Sequence, residues 1–226
     1  MSFNKKVVIT GSIAVGKSSI IKELQKHIPE IHLVPEYIDV LADGVEMLNK
    51  YFRRDITPYQ FQNYILNYYR DYLKNNQHPG VMVFERIPDD GIVCFSNLDN
   101  ANGKLSDEEF YSLYTQVLEL DKEYHLPTYF SSDKNQVFIP VKTVNSEVDG
   151  KLIAEIIKVR PEAKIIIGLY NSANTCYDRL CVRNREGETT AYSRKHIENL
   201  TNHYRQLYKV LMSDEKLRFV GLGKLV

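Results

Sequence analysis

Lys17 and Ser18 close the run VVITGSIAVGKS at residues 7–18, and their types suit one chemistry. An ammonium group is a point charge for the β/γ-phosphates, and a hydroxyl can sit on Mg²⁺. Gly11 and Gly16 let the backbone between them turn its N–H groups toward phosphate oxygens, and the helix-like stretch SSIIKELQKHI would add its positive dipole end. A turn joining a strand to a helix needs neither the Lys nor the Ser. The run therefore reads as a nucleoside triphosphate site.

Two carboxylates end apolar runs elsewhere in the chain. Glu36 follows HLVP, and Glu85 follows VMVF with Arg86 beside it. Acids at strand ends beside a phosphate loop have two uses: holding Mg²⁺ or its waters, and taking a proton from an acceptor hydroxyl. Arg86 would meet developing phosphoryl charge or pair with one of the acids. Arg179, Arg183 and Arg185 lie in CYDRLCVRNREGE. Positions 179 and 183 share a helix face, and the segment then loosens through Gly187 and Thr189. A loosening arginine-rich segment suits a lid, spanning about 179–191, that closes on ATP and excludes water. The plainer reading is a solvated helix face. Gln62 and Asn63 lie among Phe61, Tyr64, Tyr68 and Tyr69. A side-chain amide can read the edge of a nucleobase while rings cover its face, although an amphipathic helix with a polar side fits the same string.

The elements that must position these groups follow from hydrophobic pattern. Lys6–Thr10, Ile31–Pro35, Gly80–Glu85, Lys164–Tyr170 and Leu217–Gly221 are short, continuous apolar runs. They suit strands of a parallel sheet covered on both faces. Helical stripes alternate with them: Ile20, Ile21, Leu24 and Ile28; Phe61, Ile65, Leu66, Tyr69 and Leu73 after Thr57-Pro58; Phe110, Leu113 and Leu118 after Ser106; and Ile197 through Leu211. The expectation is a doubly wound five-stranded parallel α/β sheet in a single domain over residues 1–226, with ligands at the carboxyl ends of strands. Residues 126–150 read as an irregular excursion with room for a hairpin at 136–144.

Twenty-nine acidic residues balance 29 basic ones, so no global field favours nucleic acid or an anionic membrane, and clustered arginines must serve a local anion. Cys94, Cys176 and Cys181 are too few and too scattered for a disulfide framework or a zinc site. No apolar stretch is long enough to span a bilayer. Reduced thiols and the lack of a signal-peptide core lead to the expectation of a cytoplasmic protein.

In this order and spacing, ITGSIAVGKSS, VPE at 34–36, FQNY at 61–64, VFER at 83–86, FSNL at 95–98 and RLCVRNREGE at 179–188 resemble the P-loop deoxyribonucleoside kinases. That family includes deoxycytidine, deoxyguanosine and mitochondrial thymidine kinases. The likeness runs over residues 5 to about 123 and from about 164 to 211. It implies Glu36 as general base for the sugar 5′-hydroxyl with Arg86 in support, and Glu85 and Ser18 at a magnesium ion. It further implies Gln62 on the base edge, and Tyr51 and Glu188 on the 3′-hydroxyl. Arg179, Arg183 and Arg185 would form the lid. The loop residues Gly11, Ser12, Ala14, Gly16, Lys17, Ser18 and Ser19 would hold ATP. Two departures stand out. Ile87-Pro88 follows Glu-Arg where the family usually has Ser, and the stretch from Glu85 to Ser96 is about one residue short. Asp89, Asp90 and Gly91 thus compete for the place facing the base. The family also lacks most of the 126–150 stretch.

The expected activity is ATP- and Mg²⁺-dependent phosphorylation of a deoxyribonucleoside 5′-hydroxyl. A thymidylate-type monophosphate kinase shares the fold, but its acceptor needs extra cations near Glu36, and HLVPEYIDVL has none. A P-loop switch acting through a partner would want an apolar run ending in Asp and no base-reading helix. Ile65 and Tyr69 lie three and seven residues beyond Gln62 and should line the same pocket. Tyr69 stands where cytidine- and purine-preferring relatives often have Arg; its bulk shrinks the space for a two-ring purine and Gly91 leaves room for a thymine methyl, so pyrimidine deoxynucleosides are expected over purine ones. Helices at 57–73 and 106–120, rich in Tyr, Leu and Phe, and the homodimeric state of related kinases point to a homodimer.

Overall fold

The structure, a computed structural model, describes residues 5–76, 78–131, 133, 135–160, 162–184 and 192–213. In chain order, β1 (Lys6–Gly11) leads through the glycine loop into α1 (Lys17–His27), then β2 (His32–Val34). Helices α2 (Tyr37–Val40), α3 (Gly44–Arg53) and α4 (Pro58–Asn75) precede β3 (Met82–Glu85). A short α5 (Pro88–Asp90) runs through a π-helical stretch (Gly91–Ser96) into α6 (Asn97–Ala101), and α7 (Asp107–Tyr124) follows. The chain continues with β4 (Gln136–Lys142), α8 (Ser146–Val159), β5 (Lys164–Tyr170), α9 (Ala173–Arg183) and α10 (Arg194–Ser213).

The five strands form one all-parallel sheet in the order β2-β3-β1-β5-β4. Val7, Val8 and Ile9 of β1, and Ile165, Ile166 and Ile167 of β5, are fully buried or nearly so, as continuous apolar strands under helices on both faces require. Four strands fall where the apolar runs place them. The fifth run, Leu217–Gly221, lies outside the described residues. The fifth strand is instead β4, inside the stretch expected to be irregular. It is no hairpin, because it pairs in parallel with β5 from Gln136↔Lys164 to Lys142↔Tyr170. Pro140 obscured it, yet a proline that cannot donate to a ladder is tolerated on an edge strand, and β4 is an edge.

Contacts among the described residues gather into two compact units. One comprises residues 1–34, 78–85 and 129–226; the other comprises residues 35–77 and 86–128. The first holds the sheet. Helix α8 packs on α1, and Gly150 permits the approach, since a Cβ there would lie 2.5 Å from Glu23 Cβ. The second unit is helical. Thr57 caps α4 through a reciprocal box, its hydroxyl accepting from Gln60 N–H while Gln60 Oε1 accepts from Thr57 N–H. Ser106 and Glu109 do the same for α7. Each such cap contributes about 1 kcal/mol. Asn63 ties the two long helices together, accepting from Gln116 Nε2 at 2.9 Å. Beside Gln62 it is thus a packing residue.

Candidate active site

Strand β1 ends at Gly11, whose φ of 145° and close approach to Leu169 O, 2.5 Å from any added Cβ, exclude other residues. Ala14 and Gly16 also carry positive φ, 56° and 117°. A left-handed alanine costs about 1–3 kcal/mol, which the surrounding loop must offset. Ser12 and Thr201 of α10 join their hydroxyls at 3.1 Å. Lys17 is buried and donates to Ser12 O at 3.3 Å, lying across the loop it serves. Ser18 Oγ donates to Glu85 Oε1 at 2.8 Å. This hydroxyl and strand-end carboxylate are hard oxygen donors side by side, the kind Mg²⁺ takes, with its remaining positions filled by water and phosphate.

Arg179 and Arg183 stand on α9 one turn apart, and both line a cavity of about 600 Å³ with residues 14–20 of the loop and α1. Arg179 Nη1 donates to Val15 O at 2.9 Å and reaches Thr143 Oγ1 at 3.4 Å. Residues 143–146, which follow β4, line the same cavity. Helix α9 stops at Arg183, where Asn184 adopts a left-handed backbone with φ 43°. Arg185 and Glu188 lie outside the described residues.

In the helical unit, Glu36 opens α2 and pairs with Arg86 Nη1. Both side chains are mostly buried, 14% and 16% exposed, so this ion pair is shielded from the screening that weakens surface pairs. Arg86 has a φ of 66°, an unusual conformation for a long side chain. Its guanidinium also lies 5.4 Å from the centre of the Phe95 ring. Backbone strain of this kind persists only where the surrounding structure holds it. Tyr68 OH donates to Pro35 O at 2.7 Å, which fixes the backbone next to Glu36, and Tyr69 OH reaches Arg86 O at 3.4 Å. Burial, then the nearby Glu36 charge, hold the Tyr69 phenol well above its ordinary pKa, so it stays a neutral donor.

Gln62 is buried on α4, and a Cβ at Gly91 would fall 2.7 Å from its Oε1. Of Asp89, Asp90 and Gly91, then, Gly91 is the one that meets the Gln62 amide. Asp90 caps its own turn by accepting from Ile87 N–H at 3.0 Å, and Asp89 accepts from Thr128 Oγ1 at 2.6 Å. Tyr51 OH donates to Asp99 Oδ2 at 2.7 Å, its ring stacked on Phe61 with centroids 4.7 Å apart. Ile65 is half-buried on the same helix as Gln62.

Residues 7–152 match the family model described as deoxynucleoside kinase. The chain belongs to the deoxynucleoside kinase family. The match extends through β4 and into α8, beyond residue 123 where the string-by-string likeness stops. Among solved structures, the kinase is similar to deoxyadenosine kinase from M. mycoides with bound dATP, at TM-score 0.61 and 18% identity over 95% of this chain and 90% of that one. The same M. mycoides enzyme with dCMP and a flexible dCDP gives TM-score 0.60 and 18% identity over 96% and 89%. With bound dCTP it gives 0.61 and 17% over 95% and 89%. At such identity the likeness speaks to the fold. No curated protein sequence matches the kinase significantly.

The structure brings Lys17, Ser18 and Glu85 together, sets Arg179 and Arg183 beside the loop, and joins Glu36 to Arg86. Sequence reasoning missed three groups. Asp99 holds Tyr51, and only its place directly after FSNL hinted at it. Tyr68 was visible only as one ring in an aromatic string. The wall at Thr143–Ser146 was hidden with the strand that delivers it.

Proposed function

We propose that this kinase transfers the γ-phosphoryl group of ATP to the 5′-hydroxyl of a pyrimidine deoxyribonucleoside. Membership of the deoxynucleoside kinase family supports nucleoside phosphorylation. The observation that carries the finer reading is the buried Glu36–Arg86 pair. The Arg86 guanidinium fixes the orientation of the Glu36 carboxylate, which acts as general base for the hydroxyl proton. Gln62 reads the base edge, and Tyr51 with Glu188 holds the sugar. Gly11, Ser12, Ala14, Gly16, Lys17 and Ser19 cradle the triphosphate. Ser18 and Glu85 would hold Mg²⁺, which neutralises charge on the transferring phosphoryl group when bound. Arg179, Arg183 and Arg185 close over it. The chemistry needs positioning and charge neutralisation rather than a covalent intermediate.

Pyrimidine preference rests on Tyr69. A fully packed phenol, 4% exposed and on the same helix as Gln62, takes up the room that a two-ring purine would need. A purine reading is favoured by one observation, the likeness to M. mycoides deoxyadenosine kinase. One panel decides between them: ATP with Mg²⁺, the four deoxynucleosides and thymidylate, each scored for ADP and nucleotide product. Deoxycytidine and thymidine should lead in kcat/KM by a modest margin, about 1–3 kcal/mol. A lead by deoxyadenosine would establish the purine reading. Turnover of thymidylate alone would make the enzyme a monophosphate kinase.

A further inference from the structure

Ile197, Leu200, Tyr204, Tyr208 and Leu211 form the buried face of α10. Thr201 lies within that face and is buried too, 3% exposed. An aliphatic side chain of the same shape would pack there without taking a hydroxyl out of water. The Thr201 hydroxyl instead meets Ser12 Oγ, equally buried, at 3.1 Å. That bond joins α10 to the loop between β1 and α1 across 189 positions of chain. Ser12 is also where contacts within the loop converge. Its carbonyl accepts from Val15 N–H at 3.4 Å and from Lys17 Nζ at 3.3 Å. Ala14, two residues on, holds a left-handed backbone with φ 56°, a conformation that persists only where its surroundings keep it. Helix α10 is itself fastened to the end of β5. Tyr208 OH donates to Leu169 O at 3.2 Å, and Arg205 Nη2 to Asn171 O at 3.4 Å. Leu169 in turn pairs with Gly11 at the end of β1. Thr201 therefore reaches the loop from a helix anchored to the neighbouring strand.

We propose that Thr201 is a positioning residue for phosphate binding, acting through Ser12. Its hydroxyl fixes Ser12, and Ser12 sets both the carbonyl that receives Lys17 and the turn that aims the loop N–H groups. This rests on the triphosphate reading of the loop given above. Without the Thr201 hydroxyl, Ser12 Oγ is buried beside a methyl group. The loop then shifts to give that oxygen another partner, because a buried polar group left without one is costly. The turn at Ala14 loses a restraint at the same time. Groups aimed at phosphate oxygens before the ligand arrives bind more tightly than groups that must first be ordered.

The test is equilibrium titration of the full chain with ATP and, separately, with tripolyphosphate, alongside a thermal melt. Thr201→Val removes the hydroxyl and keeps the branched shape, Thr201→Ser keeps the hydroxyl, and Ser12→Ala removes the other partner. Thr201→Val made in the Ser12→Ala background completes a double-mutant cycle. Thr201→Val should bind both ligands roughly tenfold more weakly, the scale of one lost buried hydrogen-bond partner. Thr201→Ser should recover most of that affinity. Ser12→Ala should lose a similar factor, and adding Thr201→Val to it should change little further. Parental affinity in Thr201→Val, with only a lower melting temperature, makes the bond structural and overturns the proposal. So does a full loss on adding Thr201→Val to Ser12→Ala, which would show that the effect bypasses Ser12. Should Thr201→Val fail to fold, Ser12→Ala decides alone, since there Thr201 can bond to a carbonyl of its own helix; unchanged phosphate affinity in it overturns the proposal. If the parent binds ATP and the variants behave as stated but no deoxynucleoside is phosphorylated, the activity reading fails and the role of Thr201 stands.

Discussion

Glu36 is placed with the help of Arg86 on its carboxylate, Tyr68 on the preceding carbonyl, and Tyr69 on the Arg86 carbonyl. Glu36→Gln keeps the shape and an oxygen to accept from Arg86 but cannot take a proton. Turnover should fall by about 10²–10⁴-fold with nucleoside affinity largely kept, and near-parental kcat would remove Glu36 from the chemistry. Gly91 makes a different case. An alanine Cβ would stand 2.7 Å from Gln62 Oε1, the far end of a movable side chain. The fold should therefore tolerate Gly91→Ala while the amide swings away. Nucleoside KM should rise roughly tenfold with the melting temperature and ATP KM held, consistent with the cost of a mispaired base edge. A parental nucleoside KM would show that Gln62 does not read the base.

Helix α9 is the element whose arginines the phosphoryl group should feel most. Arg179 already holds Val15 O, so its loss would disturb the loop as well as the chemistry. Arg183 gives the cleaner test. Arg183→Ala should lower kcat at least tenfold with a smaller change in nucleoside KM, because charge grows on the phosphoryl oxygens in the transition state. An intact kcat would leave Arg183 as a solvated residue. Strand β2 carries a different sensitivity. His32 stacks on His78 with centroids 4.5 Å apart, and burial, then the His78 charge, lower its pKa from 6.5. The folded state thus binds this proton less readily than the unfolded chain. The stability His32 contributes is complete above 6.5 and is lost as pH falls below that value. Urea midpoints should drop between about pH 7.5 and 5.5, and His32→Gln should reduce the drop. An identical slope in the variant would rule His32 out as the source.

At the scale of the whole molecule, α4 and α7 pack on each other, yet α7 leaves Tyr111 67% and Leu118 37% exposed. Large apolar groups repeated along one helix are the material of a two-fold interface, where the same patch serves both copies. We expect light scattering at micromolar concentration to give twice 26.3 kDa, and Tyr111→Glu with Leu118→Glu to give the monomer. A parent at 26.3 kDa would refute the dimer. No helix among the described residues is long and apolar enough to cross a membrane.

What the sequence determined by itself was local. The glycines, Lys17 and Ser18 of the phosphate loop, four of the strands, and the Thr57 and Ser106 caps each depend on residues within a few positions of one another, where backbone conformation and hydrogen-bond partners are set by neighbours. The i,i+4 pairing of Arg179 with Arg183 was legible for the same reason. What only the tertiary structure decided were the long-range choices. Ser18 reaches Glu85 across 67 positions, Glu36 meets Arg86 across 50, and Tyr51 finds Asp99 across 48. No periodicity encodes such distances. Strand β4 belongs here too: a proline-bearing segment becomes a strand because β5 offers it an edge where no ladder bond is asked of Pro140. That edge carries Thr143 and Val144 to the phosphate loop, more than a hundred positions away in the chain. The approach of Gly91 to Gln62 is likewise a long-range outcome, decided by where the Gln62 amide came to rest.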